Sequence, residues 1–207
     1  MNRNVSCSQP VSRSPLRTGR LLLRAPAKIN WFLQIVGRRP DGFHDIASLM
    51  QCVSLYDEIS LAHSDSLAVE TNMKIPTREN IVYKAASLLR DRVSYRKGVH
   101  ITLRKKIPAG SGLGGGSSDA ACVLSGLNRL WGLRLSRSEL IQIGAEAGSD
   151  IPFFLGGPVA FVRGKGERLR RVRLTSSAVL LIVKPRISGR WPNVCLRPWA
   201  APASRRS

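Results

Sequence analysis

The segment from Pro108 to Ser118, PAGSGLGGGSS, combines residue types that favour phosphate binding. Five of its eleven residues are glycine, so little side-chain bulk separates its backbone N–H groups from a ligand. The segment opens a stretch with helical spacing, and the first turn of a helix carries unpaired N–H donors at its positive dipole end. The sequence therefore predicts a phosphate-binding loop that leads into a helix.

We expect the whole loop to contribute to this site. Ser117 and Ser118 add hydroxyl donors, and the Ser117 hydroxyl is the candidate ligand for a Mg²⁺ ion. Arg104, Lys105 and Lys106 lie just upstream and are expected to add positive charge. The predicted binding residues are Pro108, Ala109, Gly110, Ser111, Gly112, Leu113, Gly114, Gly115, Gly116, Ser117 and Ser118.

Two common phosphate loops do not fit this segment. The Walker pattern requires Gly-Lys-Ser/Thr, whereas Gly116 is followed directly by Ser117. The dinucleotide pattern G-x-G-x-x-G is formally present, but it requires an acid at the end of a strand about 20 residues further on. Glu139 stands at that distance inside a predicted helix. The loop therefore belongs to a different class.

The elements that position the loop are a strand and two helices. Alternating apolar residues at 99–103 predict a strand that runs directly into Pro108. Apolar residues at intervals of three and four predict an amphipathic helix over 120–131. Ser136 and Glu139 form a capping box for the next helix, which Gly148 can end, and residues 149–152 are predicted to begin an irregular segment.

The rest of the sequence mixes strands and helices without strict alternation, which indicates an α+β fold. Its predicted elements are a strand at 29–36, a turn at 39–42, β structure at 50–61, a helix at 80–92, a hairpin from 159–163 and 168–174, and a buried strand at 179–183.

Composition narrows the class of protein further. The net charge of +20 resides mostly in the two ends of the chain, where residues 1–40 and 186–207 carry 13 Lys/Arg and no acid, so we expect no nucleic-acid partner. No apolar run approaches the length of a membrane span. The four cysteines are scattered, which argues against a zinc site and favours a reducing compartment.

Four segments together resemble the GHMP small-molecule kinases. They are the loop and helix start at 108–121, APAKIN at 25–30, PDGFH at 40–44 and GSDIPF at 148–153. The resemblance covers about 21–185 and implies the N-terminal domain of that family, of the ribosomal protein S5 domain 2-like type. It implies transfer of the ATP γ-phosphate, with Mg²⁺, to a hydroxyl of a cytidine diphosphate sugar alcohol in the non-mevalonate route to isoprenoid precursors.

Residue roles follow from the same resemblance. Asp150 matches the catalytic aspartate of the family, and Lys28 matches its active-site lysine. Asn30, Phe43 and His44 match positions at the substrate, with the ring of Phe43 and the histidine on the cytosine. Asn80 falls in a segment that resembles part of the adenine pocket of the family.

The sequence departs from the family at two places. Phe43 stands where the family usually has tyrosine, so base stacking is retained and a hydroxyl hydrogen bond is lost. Past Pro185 the composition changes abruptly to Arg, Pro, Ala and Ser, and we expect residues 186–207 to be an aberrant tail that replaces the C-terminal domain. Residues 1–20 are expected to form a disordered basic tail, with an organelle transit segment as the alternative.

Two functional alternatives stay open. Another GHMP kinase, acting for example on mevalonate or homoserine, would keep the loop and change the substrate. A non-catalytic nucleotide-binding fragment would keep only the loop. The resemblance implies a bacterial cytoplasm, with a plastid as the alternative, and the sequence does not define an oligomeric state.

Overall fold

The computed structural model describes residues 19–42, 44–73, 75–76, 79–173 and 178–184. Ten elements lie within these residues, and they confirm the α+β class. In chain order they are β1 (Arg20–Arg38), β2 (His44–Ser64), β3 (Leu67–Thr71), α1 (Ile81–Arg92), β4 (Gly98–Arg104), α2 (Gly115–Leu130), α3 (Arg137–Ala147), α4 (Ile151–Gly156), β5 (Val159–Gly164) and β6 (Arg168–Arg171).

The sheet is built around the long strand β2. Strand β1 pairs antiparallel with β2 along its whole length. The other edge of β2 pairs with β5 over 46–51 and with β4 over 58–64. Strand β3 adds to β4 in parallel, and β6 adds to β5. One strand thus joins the segment that precedes the glycine loop to the β5–β6 hairpin.

The main core lies between this sheet and the helices. Alternate residues of β1 such as Leu21, Leu23 and Ala25 are buried, as the period of two of a strand requires. They face helix α2, whose residues from Ser118 to Leu124 are all buried. The helix that begins at the glycine loop is therefore fixed on the sheet by its whole inner face.

The outer half of the β1–β2 hairpin extends beyond this core. Its apolar residues Trp31, Phe32, Leu33 and Val36 are between 43% and 65% exposed. The predicted turn over Arg39–Gly42 closes the hairpin, and the Gly42 N–H donates to the Arg39 carbonyl. Register shifts between Pro26 and Ala27 and between Asn30 and Phe32 place bulges on either side of Lys28.

Most predicted elements are confirmed. The strand at 29–36 is part of β1, the helix at 80–92 is α1 with Asn80 as its N-cap, and the hairpin of 159–171 is β5–β6. The capping box of α3 is formed as predicted, with Ser136 and Glu139 each bonding the backbone of the other, and Gly148 is its C-cap.

Two predictions are wrong. Residues 151–156 form the buried helix α4 instead of an irregular segment, because Pro152 lies in the first turn, where a missing N–H costs no hydrogen bond. Residues 179–183 are not a buried strand: their side chains are 38% to 102% exposed, and no described strand pairs with them. An apolar run forms a buried strand only where it can pair with the free edge of a sheet.

Several predictions lie outside the described residues. Phe43 is one of them, and both predicted tails fall there apart from Gly19 and Arg20. Among the described helices, none has the length and apolar character needed to cross a membrane.

Candidate active site

The glycine loop lines a cavity of about 340 Å³ between β4, α1 and α2. Ten of the eleven predicted binding residues, from Pro108 to Ser117, line this cavity, whereas Ser118 is fully buried and does not. The cavity continues past Met73 and Ile75 to Asn80 and Ile81. Its size lies in the range of small-ligand sites.

The loop conformation depends on glycine at three positions. Gly110, Gly112 and Gly114 have φ of +63°, +74° and +70°, which side-chain-bearing residues rarely adopt. Gly114 is also the N-cap of α2 and gives the helix no side-chain cap. The first turn of α2 therefore has no side-chain cap, and its residues 115–117 line the cavity, which makes their N–H groups candidate phosphate donors.

Lys28 lies directly against this loop. Its backbone N–H donates to the Leu113 carbonyl at 2.9 Å, and a Cβ added to Gly114 would lie 2.9 Å from Lys28 Cγ. The lysine side chain is 7% exposed. Its aliphatic part thus packs on the helix start that faces the cavity, and only its ammonium group continues beyond it.

Asp150 forms an ion pair with the Lys28 ammonium group. The Nζ of Lys28 is 3.8 Å from Oδ2 of Asp150, whose side chain is 33% exposed. Asp150 occupies the N-cap position of α4, yet its side chain makes no capping hydrogen bond. Burial lowers the pKa of Lys28 below its ordinary 10.5, and the Asp150 carboxylate offsets part of that shift.

A chain of hydrogen bonds orients the ammonium group of Lys28. The Nζ donates to Asn30 Oδ1 at 2.7 Å, and Asn30 Nδ2 donates to the Ser48 hydroxyl at 2.7 Å. The hydroxyl of the fully buried Ser48 then donates to the Phe32 carbonyl at 2.7 Å. Because that proton is committed to a carbonyl, the Ser48 oxygen accepts from Asn30, which fixes the amide with its oxygen towards Lys28.

The structure brings the predicted loop, Lys28, Asn30 and Asp150 together. Asn80 also lines the cavity, but its Oδ1 accepts the Val82 N–H at 3.0 Å and caps α1. His44 lies elsewhere, at the outer end of the hairpin opposite Arg38. Arg38 follows Lys28 by ten positions in β1, which corresponds to about 33 Å along a regular strand.

The positive charge predicted upstream of the loop is engaged in ion pairs. Lys105 contacts the buried carboxylates of Asp57 and Asp119, and Lys106 pairs with the exposed Glu58. Burial lowers the pKa of Lys105, but its two partners more than offset this and raise it above 10.5. Burial raises the pKa of Asp119 to about 8.

Sequence reasoning missed Ser48, Asp57 and Asp119. Ser48 and Asp57 are two of several polar residues in β2, and nothing in their spacing distinguishes them from solvent-facing positions. Asp119 follows the two serines of the loop directly, so an acid near the start of an apolar helix was the available signal.

The mixed sheet covered by helices is the fold of the GHMP kinases, since the solved structures that match it belong to that class. Residues 80–158 match the GHMP kinases N terminal domain. Over a longer span, the chain is similar to 4-diphosphocytidyl-2-C-methyl-D-erythritol kinases.

The relative from Thermodesulfovibrio yellowstonii is 45% identical over 168 residues, which cover 81% of this chain and 59% of the relative. The relative from Bacillus cereus is 41% identical over 172 residues, which cover 81% of this chain and 60% of the relative. Both bear the name of that kinase. This chain thus spans about three fifths of the length of the curated relatives it matches.

Solved structures agree with this assignment. A crystal structure of 4-(cytidine 5'-diphospho)-2C-methyl-D-erythritol kinase matches with a TM-score of 0.65 and 40% identity over 74% of this chain and 55% of that chain. The mevalonate kinase of Methanococcus jannaschii matches with a TM-score of 0.58 at 14% identity, over 76% of this chain and 57% of that chain. The second match shows a shared fold alone.

Proposed function

We propose that this chain carries the ATP-binding and catalytic part of a 4-diphosphocytidyl-2-C-methyl-D-erythritol kinase. The reaction is transfer of the ATP γ-phosphate to the 2-hydroxyl of the methylerythritol moiety, in non-mevalonate isoprenoid precursor synthesis. The observation that carries the proposal is the Lys28–Asp150 pair, held at 3.8 Å and packed against Gly114 of the glycine loop.

ATP binds in the cavity at the loop. The backbone N–H groups of the loop and of the first turn of α2 receive the phosphates, where the helix dipole favours negative charge. The adenine occupies the end of the cavity near Asn80. Because the loop contributes backbone donors, the charges that neutralise the triphosphate come from Mg²⁺ and Lys28.

Asp150 is the general base of the reaction. Its carboxylate accepts the proton of the substrate hydroxyl as that oxygen bonds to the γ-phosphorus, and the bond to the β–γ bridging oxygen breaks to release ADP. The Lys28 ammonium group keeps the carboxylate ionised and offsets charge that develops on the transferred phosphoryl group.

Ser117 is the residue we propose for Mg²⁺. The described residues contain no cluster of three or more His, Cys, Asp or Glu side chains suited to a metal. In many kinases Mg²⁺ is bound by substrate phosphates together with one or two protein ligands. When bound with ATP, Mg²⁺ supplies charge neutralisation on the phosphates.

The substrate side of the proposal involves Asn30, Phe43 and His44. Asn30 contacts Lys28 and so lies at the reacting end of the substrate. His44 begins β2, and an aromatic ring and an imidazole at positions 43 and 44 suit a cytosine base. The named relatives are bacterial, and we propose a bacterial cytoplasm as the compartment.

The test is phosphoryl transfer from Mg²⁺–ATP to 4-diphosphocytidyl-2-C-methyl-D-erythritol. We expect Asp150→Asn to lower kcat by about a hundredfold or more, which is the usual contribution of a positioned base, with little change in the affinity for ATP. Asp91→Asn is the matched control, because Asp91 is 66% exposed at the end of α1. It should retain the wild-type rate.

Three results would argue against this proposal. Faster turnover of mevalonate or homoserine would assign the chain to another branch of the family. Protection by ATP against thermal unfolding without any turnover would reduce the function to nucleotide binding. Absence of both turnover and protection would show that the chain has no working nucleotide site.

A further inference from the structure

Asp57 is a fully buried carboxylate that takes no part in the proposed phosphoryl transfer. Its Oδ1 accepts the backbone N–H groups of Lys106 at 2.5 Å and of Ile107 at 2.8 Å. Its Oδ2 accepts a hydrogen bond from the Lys105 ammonium group. One side chain thus bonds three consecutive residues, and these residues lead directly into the glycine loop at Pro108.

The position of Asp57 in the sheet explains this arrangement. The antiparallel pairing of β2 with β4 ends at Glu58 and Arg104. Beyond Arg104, the Lys105 N–H donates to Asn72 Oδ1 at 2.9 Å. The N–H groups of Lys106 and Ile107 would lose their acceptors where the chain leaves the sheet, and a buried N–H without a partner is costly. The carboxylate of Asp57 replaces the missing backbone acceptors, so the chain can turn away from the sheet at a fixed point.

Lys105 connects this entry point to the other end of the loop. Its ammonium group lies between Asp57 and Asp119, the fifth residue of α2. A Cβ added to Gly115 would lie 3.2 Å from Lys105 Nζ and 2.9 Å from Ile107 Cγ2. The two ends of the loop are therefore packed on one buried, hydrogen-bonded base.

We propose that Asp57 is a positioning residue for nucleotide binding. Its carboxylate fixes the entry of the glycine loop, so that the N–H groups of the loop converge on the phosphates without rearrangement. This inference rests on the proposed ATP-binding function. The end of the cavity near Met73, Ile75 and Asn80 belongs to other segments, so Asp57 acts on the phosphates of a nucleotide and not on its nucleoside.

The experiment measures the affinities of the full chain for ATP, ADP and adenosine by titration calorimetry. In Asp57→Ala the two N–H groups lose their acceptor, and we expect ATP affinity to fall about tenfold or more with adenosine affinity within about twofold of wild type. Asp57→Asn keeps an acceptor oxygen for both N–H groups but presents an NH₂ donor to the Lys105 ammonium group, so it should lose less ATP affinity than Asp57→Ala without matching wild type. Glu58→Gln removes an adjacent, exposed carboxylate and should match wild type.

Several outcomes would overturn the inference. They are unchanged ATP binding in Asp57→Ala, an equal loss for adenosine and ATP, and an Asp57→Asn variant as weak as Asp57→Ala. Wild-type chain that binds no nucleotide would instead refute the proposed function, and the inference with it.

A measurement on the wild-type chain alone covers the case in which Asp57→Ala does not fold. The amides of Lys106 and Ile107 should exchange hydrogen as slowly as those of β4, with no nucleotide present, because Asp57 already bonds them. Fast exchange at these two amides would show that the entry of the loop is not fixed, and would overturn the inference.

Discussion

Two features of its environment shift the pKa of the Lys28 ammonium group in opposite directions. Burial lowers its pKa below 10.5, and the Asp150 carboxylate raises it again in part. The net pKa is lowered, so the side chain loses its proton at a lower pH than an exposed lysine does. A catalytic role for the charged form therefore predicts a loss of rate on the alkaline side.

We expect kcat to fall as the pH rises, with a midpoint below 10.5, because deprotonation removes the charge beside the transferred phosphoryl group. Lys28→Arg keeps a positive charge at every accessible pH, so its lower rate should show no such decline. The measurement is kcat between pH 7 and pH 10 with saturating substrates. The same alkaline decline in both proteins would assign it to another group.

Ser48 determines which atom of Asn30 faces the lysine. Ser48→Ala would remove the acceptor for Asn30 Nδ2 and leave the amide free to rotate. We expect kcat to fall about tenfold, because the loss of one neutral hydrogen bond costs roughly 1.4 kcal/mol. The KM for ATP should be unchanged. Ser48→Thr keeps the hydroxyl and should retain most of the rate. A rise in KM for ATP with constant kcat would contradict this role.

At the scale of elements, glycine is required in the loop for two different reasons. One is a backbone conformation with positive φ, and the other is the lack of space for a Cβ. Gly112 and Gly114 both have positive φ, but a Cβ would meet nothing within 4 Å at Gly112 and would lie 2.9 Å from Lys28 Cγ at Gly114. The two positions form a matched pair, since both variants carry the same backbone strain and only one disturbs the lysine.

Both Gly112→Ala and Gly114→Ala should destabilise the fold by about 1–2 kcal/mol, the cost of a left-handed conformation for a residue with a Cβ. Only Gly114→Ala should also lower kcat, because it displaces Lys28 and the nearby ring of Phe154. Urea unfolding and steady-state kinetics of the two variants check this. Equal kcat values in the two variants would show that the contact with Lys28 has no effect on the reaction.

The elements that the sequence predicted correctly have a clear period or a capping residue. Helix α3 has both the Ser136–Glu139 box and Gly148, and β1 has its alternation. Helix α4 was missed because proline in a first turn has the same local signature as a break. The apolar run at 179–183 was misassigned because burial depends on a neighbouring strand, which a local pattern does not contain.

At the scale of the whole molecule, the site joins parts of the chain that are distant in sequence. Lys28 comes from β1, Asp150 from the start of α4 and the loop from between them. The resemblance to a family predicted that Lys28, Asp150 and the loop belong to one site. Their contact follows only from the strand pairing around β2, and so does the bonding of Asp57 to the entry of the loop.

Asp119 connects this buried region to the stability of the whole fold. Its pKa is raised from 3.8 to about 8 in the folded protein, because burial disfavours the carboxylate. The folded state therefore holds a proton that the unfolded state has released at any pH between these values. The stability that this group contributes is complete below pH 3.8, declines as the pH rises and is lost above about pH 8.

Asp119→Asn removes this titration while keeping the shape of the side chain. The free energy of unfolding of the variant should increase relative to wild type by about 1.4 kcal/mol per pH unit between pH 5 and pH 8, and the difference should level off above that. Urea unfolding of both proteins across this range measures the difference. Glu58→Gln, an exposed neighbour of Asp57, should follow wild type. A constant difference between Asp119→Asn and wild type would mean that Asp119 is ionised in the folded protein, and that its carboxylate is stabilised by Lys105 more strongly than burial opposes it.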